Sequence, residues 1–386
     1  MRLSTPRLDI DSLIDDPLIR IIVCTGSGGV GKTTTAAALA IRAAERGRKV
    51  CVLTIDPAKR LAQAMGLSAL DNSPRPVSGV SNGSLEAMML DMKRTFDEVV
   101  EAHADPERAA QILSNPFYQA LSSSFAGTQE YMAMEKLGQL RATADADGTW
   151  DLIVVDTPPS RSALDFLDAP ARLGSFLDGR FIRILSAPAR GAGRGIGRIA
   201  AMGFGIFTGV LSKVLGTQVL ADIGTFVAAI DTTFGGFRER ADATYALLKD
   251  RGTAFIVVAA PERDALREAS YFVERLRTDD MPLAGLVVNR MTKAPQPTEG
   301  HPLSPEAAEA AAQRLAEMPA TPDNELTINL LRLHAANVAT AQRQEHLVER
   351  FTSAHPNVAV TYVPALAQDV HDLDGLRTVG ELVASN

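Results

Sequence analysis

The sequence predicts an α/β protein, a mostly parallel sheet flanked by helices and carrying an inserted helical part. Three observations lead there. Seven short apolar, β-rich runs alternate with stretches of helical composition, the order that builds a parallel sheet covered on both faces. A glycine-rich loop, "GSGGVGKT", joins the first run to the first helical stretch. Two stretches, at about 93–148 and 170–248, are helical in composition without a strand signal and follow strand ends, where such folds place ligand-contacting insertions.

The first run, "IRIIVCTG", is apolar and ends at glycine, and "TTTAAALAIRAAERG" follows with helical composition and a closing glycine at Gly47. The second to seventh strands are read in "KVCVLTID", "LEAMMLDM", "WDLIVVDTPP", "TAFIVVAAP", "LAGLVVNR" and "VAVTYVPAL". The segment from Thr292 to Asn324 is rich in Pro, Ala and Glu and is expected to be partly mobile, and Glu325 to His355 has the pattern of a long surface helix. No internal repeat is present.

At 386 residues the chain is long for a simple domain, yet one sheet with insertions reaches this size, so a single unit over 1–386 is expected. The composition, 46% apolar and 22% charged, is that of a globular protein. A net charge of −7 offers no global positive field for a nucleic-acid duplex. The N-terminal "MRLSTPRLDIDSLIDDP" lacks the apolar core of a secretory signal, and the longest apolar region, between Arg198 and Lys213, is too short to span a bilayer. The two cysteines, Cys24 and Cys51, sit near opposite ends of two predicted strands, a poor arrangement for a disulfide and one that suits a reducing cytoplasm.

Gly26-x4-Gly31-Lys32-Thr33 is a phosphate-binding loop in the strand–loop–helix setting that the pattern needs. Glycines let backbone amides close around phosphate oxygens, Lys32 supplies charge to the β and γ groups, and the Thr33 hydroxyl can reach Mg²⁺. The expected nucleotide contacts are Gly26, Gly28, Gly29, Val30, Gly31, Lys32, Thr33 and Thr34, with Lys32 also acting in catalysis. Asp156 stands at the tip of "LIVVD", where a carboxylate can hold the metal through water; capping the next helix is the alternative. Asp56 ends "LTID" in the same fashion and is read as orienting or deprotonating the attacking water, with an N-cap as the alternative. Asn289 ends the sixth strand, and its amide can both donate to and accept from an adenine edge; otherwise it is a turn residue.

The phosphate loop, "IDPAKRLAQAMG", "VVDTPPSRSALDFLDAP", "VVNR" and "YVPALAQDV" occur in the order found in the deviant Walker A ATPases of the arsenite-pump and tail-anchored-protein-targeting branch. The chain resembles that family over most of its length, and most closely its actinobacterial anion-transporting-ATPase-like members. The resemblance implies a Mg-ATP-dependent dimer in which Asp56 lies in switch I, Asp156 opens switch II, Asn289 contacts adenine and Pro364 lies near the base. It further implies a hydrophobic groove for a client or membrane segment in the insert, whose "IAAMGFGIFTGVLS" is rich in Gly, Met, Phe and Ile; the interior of the helical subdomain and a membrane-surface helix are the alternatives.

Departures from the family pattern are specific. The Cys-x-x-Cys zinc clasp of the targeting branch is absent, and Cys24 and Cys51 lie in predicted strands, so neither zinc nor arsenite is expected. Lys59 stands where the family usually has His, and Ser27 where it has Lys. In the family that lysine reaches the partner's phosphates, which a serine cannot do. Ser27 therefore implies a heterodimer with a lysine-bearing related subunit, unless Lys59 or Arg161 supplies the charge or turnover is slow.

Function classes separate on other features. An ATP-dependent ligase on this fold would bind a discrete polar metabolite, whereas the insert is large and apolar. A membrane- or DNA-positioning ATPase commonly ends in a basic amphipathic helix, whereas this chain ends "DLDGLRTVGELVASN". An iron–sulfur reductase would need cluster-bearing cysteines in another setting. The sequence thus points to an ATPase whose nucleotide state governs binding of a client protein or transport partner.

Overall fold

A computed structural model describes residues 5–55, 60–67, 69–115, 118–119, 128–158, 237–295, 302–319 and 321–385. Asp56, Lys59, Arg161 and the apolar 199–212 stretch therefore lie outside the described residues. The strands are β1 Ile21–Thr25, β2 Lys49–Thr54, β3 Arg75–Pro76, β4 Ser84–Met89, β5 Leu152–Asp156, β6 Thr253–Ala259, β7 Leu283–Met291 and β8 Val360–Pro364. The helices are α1 Ile10–Asp15, α2 Lys32–Glu45, α3 Arg60–Ala64, α4 Met92–His103, α5 Pro106–Ser114, α6 Thr128–Asp147, α7 Phe237–Lys249, α8 Arg263–Thr278, α9 Pro305–Ala316, α10 Pro322–Ala354 and α11 Leu373–Ala384.

One sheet of eight strands runs in the order β3-β4-β2-β5-β1-β6-β7-β8. Seven strands are the expected apolar runs and pair parallel, while β3 is a short antiparallel edge on β4. The sequence pattern did not reveal β3, because two residues carry no periodicity. Pro76 is tolerated there because an edge strand can lack a donor.

β1 and β5 are buried at every position, since helices cover both faces and leave no polar side to alternate toward. Alternation instead sorts their residues between two cores. Ile21, Val23, Ile153 and Val155 join the core beneath α4, α5, α6 and α8. Ile22, Cys24 and Val154 join the one beneath α1, α2, α3 and α11. Cys24 and Cys51 consequently face opposite sides of the sheet, on strands separated by β5, and both are free thiols. Burial pushes both thiols up, well away from the reactive range.

The first stretch expected to be helical holds α4, α5 and α6, and the second ends in α7. The segment expected to be partly mobile proves in part to be ordered helix. Ser304 caps α9 by accepting from the Ala307 amide, and Pro305 sits in the first turn. Ala308 and Ala312 are buried against α10, so alanines of the Pro-, Ala- and Glu-rich segment form a close-packing face. The long helix is α10, with 33 residues, and it returns Val348 and Phe351 to the core beside α8.

At the end of the sheet away from the glycine loop, Arg48 ties the strand starts together. Its guanidinium donates to Asp151 Oδ1 at 2.7 Å and to the carbonyls of Ile14, Asp16, Ile19 and Asp151. Arg48→Ala strands these carbonyls at a largely buried site and is expected to cost about 2–3 kcal/mol in urea unfolding. Arg48→Lys should recover only part, because a point charge cannot match the fork.

Candidate nucleotide and metal site

The site forms where the C-terminal ends of β1, β2, β5, β6, β7 and β8 meet the start of α2. In open α/β sheets ligands bind at this edge, beside the strand where the connections reverse direction. Here that strand is β1, flanked by β5 and β6.

The loop after β1 approaches its neighbours more closely than side chains allow. A Cβ on Gly26 would lie 2.1 Å from the Val258 carbonyl oxygen, and one on Gly31 would lie 2.2 Å from Asn289 Nδ2. Both residues also adopt positive φ, +152° and +96°, a region open to glycine at no steric cost. Gly31 is the N-cap of α2 and has no capping side chain, and the positive end of a helix favours an anion. At the apex Gly28 and Gly29 are exposed, whereas Val30 is buried and anchors the loop.

Lys32 is buried and folds back on the loop, its Nζ donating to the Ser27 carbonyl at 2.8 Å. Thr33 Oγ1 donates to Asp156 Oδ2 at 2.7 Å, and Thr54 Oγ1 donates to the same oxygen at 2.9 Å. Asp156 is fully buried, so the two hydroxyls offset part of the cost of placing a carboxylate there. Thr54 and Asp156 are register partners on adjacent strands, which is why β2 contributes a residue to the loop's metal-side oxygens. Thr33 and Asp156 together present hard oxygen donors of the kind Mg²⁺ takes while keeping most of its waters. Among the described residues no cluster of three or more His, Cys, Asp and Glu could hold a metal.

Asn289 ties β7 to the loop. Its Nδ2 donates to the Val30 carbonyl at 2.8 Å, and its Oδ1 accepts from the Arg290 amide at 3.0 Å. Arg290 Nη1 donates to the Gly29 carbonyl at 3.0 Å. Beside this corner opens a cavity of about 880 Å³ whose lining includes Thr34, Asn289, Arg290, Pro364, Asp369 and His371.

The structure thus brings the expected loop residues Gly26, Gly28, Gly29, Val30, Gly31, Lys32, Thr33 and Thr34 together with Asp156, Asn289 and Pro364. Asp56 falls just past the described end of the second strand. Sequence reasoning missed Thr54 and Arg290 as members of the site. Thr54 and Arg290 stood inside quoted strand motifs, where only their place at a strand tip could have marked them. The turn after β8 lies within "YVPALAQDV", and it lines the cavity through Asp369.

Two substitutions separate the loop's contacts. Gly26→Ala meets backbone and should destabilise more than Gly31→Ala, whose added methyl meets an amide that can swing away. Because Gly31→Ala already displaces that amide, adding Asn289→Ala should cost little more. The double variant is expected to fall short of additivity by about 1 kcal/mol in urea unfolding; full additivity would show that the two residues do not share one contact.

The chain is similar to known proteins over 73% of its length. It is 27% identical to the ATPase GET3 of Podospora anserina over 285 residues, which cover 73% of this chain and 76% of the relative. It is 26% identical to the ATPase GET3 of Ajellomyces dermatitidis over 286 residues, with the same shares of each chain. A shorter match, 32% identical over 164 residues, covers 42% of this chain and 46% of the ATPase GET3 of Malassezia globosa. The profile of the anion-transporting ATPase family matches residues 19–302, from the strand before the glycine loop to beyond the Asn289 corner. This chain belongs to the anion-transporting ATPase family.

Proposed function

We propose that this chain binds Mg-ATP and hydrolyses its terminal phosphoanhydride, and that nucleotide state governs how the helical parts hold a client protein or transport partner. One observation carries the reading. Thr33 and Asp156 share a hydrogen bond of 2.7 Å beside the start of α2, and the adjacent cavity of about 880 Å³ is large enough for a nucleotide. In this reading Lys32 leaves the Ser27 carbonyl for the β and γ phosphates, and the amides of the loop through Thr34 hold the same groups. Thr33 and Asp156 would hold Mg²⁺, which neutralises charge on the phosphates.

Asp56 is assigned to orienting the attacking water, and Asn289 and Pro364 to the adenine end. Asn289 already spends one amide hydrogen on Val30. Its remaining N–H is the group assigned to the base.

The chain is read as one domain over 1–386, its helical subdomain inserted at about 93–148 and 170–248. It is further read as a cytoplasmic dimer. Among the described residues no helix is long and apolar enough to cross a membrane. By resemblance to the tail-anchored-protein-targeting branch, the client is an apolar segment held by the insert. The further reading, a related subunit that donates a lysine to this site, rests on Ser27 alone.

Lys32→Ala is expected to abolish ATP binding or turnover while the protein stays folded, as measured by equilibrium binding and phosphate release; unchanged turnover would overturn the reading. Asp56→Asn should keep nucleotide affinity within a few-fold while turnover falls by about 10²-fold or more. The same variant, loaded with ATP, should retain apolar client segments that the wild type releases. Equal retention by both would detach client binding from hydrolysis.

A further inference from the structure

The strongest feature outside the assigned machinery is Arg290. It is one of three non-glycine residues among those described with positive φ, at +64°. For a residue with a Cβ this conformation is costly and persists only where its surroundings impose it. Here two things impose it. The β7–β8 pairing slips between Val288 and Met291, so Asn289 and Arg290 form an irregularity at the strand end, a device that re-aims side chains beside functional sites. Asn289 Oδ1 then accepts from the Arg290 amide and fixes the turn.

The consequence is a guanidinium held at the loop apex. Arg290 Nη1 donates to the Gly29 carbonyl at 3.0 Å, and Lys32 Nζ donates to the Ser27 carbonyl at 2.8 Å. Two cations, from β7 and α2, thus sit on carbonyls two residues apart at the apex of one glycine loop. From Gly26 to Thr33 the loop itself carries only Lys32 as a cation, while a nucleoside triphosphate is a polyanion. Among the described residues the Gly29 carbonyl is the one side-chain hydrogen-bond partner of Arg290. Arg290 is exposed and lines the cavity, and a guanidinium has five N–H donors in a fixed fork suited to phosphate.

We propose that Arg290 is a phosphate-binding residue, the second cation of the site, anchored on Gly29 so that its remaining donors meet the polyphosphate of a bound nucleotide. The proposal rests on the reading of this site as a nucleotide site and adds to it a local source of positive charge in the same chain. Bracing the loop is the competing role, since the Gly29 bond alone would do that.

Arg290→Gly separates the two roles, because glycine adopts the left-handed conformation without strain. The variant should melt no lower than the wild type. Its affinity for a non-hydrolysable ATP analogue, measured by calorimetry with Mg²⁺, should fall about 10- to 100-fold, while its affinity for adenosine stays unchanged. Arg290→Lys should lie between wild type and Arg290→Gly, since it keeps the charge and loses the fork. If Arg290→Gly lowers the melting temperature and weakens adenosine and the analogue alike, Arg290 only braces the loop and the proposal fails. Unchanged analogue affinity in Arg290→Gly, with the wild type binding and Lys32→Ala not binding, overturns the proposal and leaves the nucleotide reading standing. Failure of the wild type itself to bind the analogue overturns both.

Discussion

The close approach of the loop after β1 to the ends of β6 and β7 is the constraint on which the site depends. With Gly26 against the Val258 carbonyl and Gly31 against the Asn289 amide, there is no room for a Cβ at either contact. That proximity directs the start of α2 into the crevice at the strand ends. It also places the Val30 carbonyl within reach of Asn289, and the Gly29 carbonyl within reach of Arg290. A side chain at Gly26 would have to displace backbone, and the bonds that register the loop against β7 would follow.

The rest of the fold holds these backbones still. β1 and β5 are buried on both faces, and their side chains divide between two cores. Close packing on each side leaves the central strands little freedom to shift. Away from the site, Arg48 satisfies four carbonyls and a carboxylate across the strand starts. The sheet is therefore pinned at one end by a buried guanidinium, while the glycine loop and the strand tips meet at the other.

At the loop end the polar groups satisfy one another in a particular order. Asp156 accepts hydroxyls from α2 and β2, so one carboxylate oxygen senses both the loop's helix and the strand that leads to Asp56. This supplies a covalently short path between the phosphate loop and the next strand: Thr54 lies two residues before Asp56 in "TID". Movement of Thr33 away from Asp156 would release one of the two hydroxyls that orient it and leave the Thr54 bond to β2 in place.

What the sequence determined by itself is whatever local pattern encodes. The seven parallel strands were legible because each is a short β-rich run bounded by glycine, proline or a polar tip. The loop was legible because its glycines, lysine and threonine stand at fixed spacing before a helix. The long helix α10 was legible from its periodicity, and Asp156 from its place at the end of an apolar strand. Tertiary structure decided the rest, since it depends on groups distant along the chain. The antiparallel β3 exists only as an edge on β4. The alanines of α9 order only because α10 covers them. Asn289 finds Val30 from 259 residues away, and Arg290 is aimed at Gly29 only because β7 slips against β8 there. A residue's type is written in the sequence, but the direction of its side chain is set by the register of strands that meet only after folding.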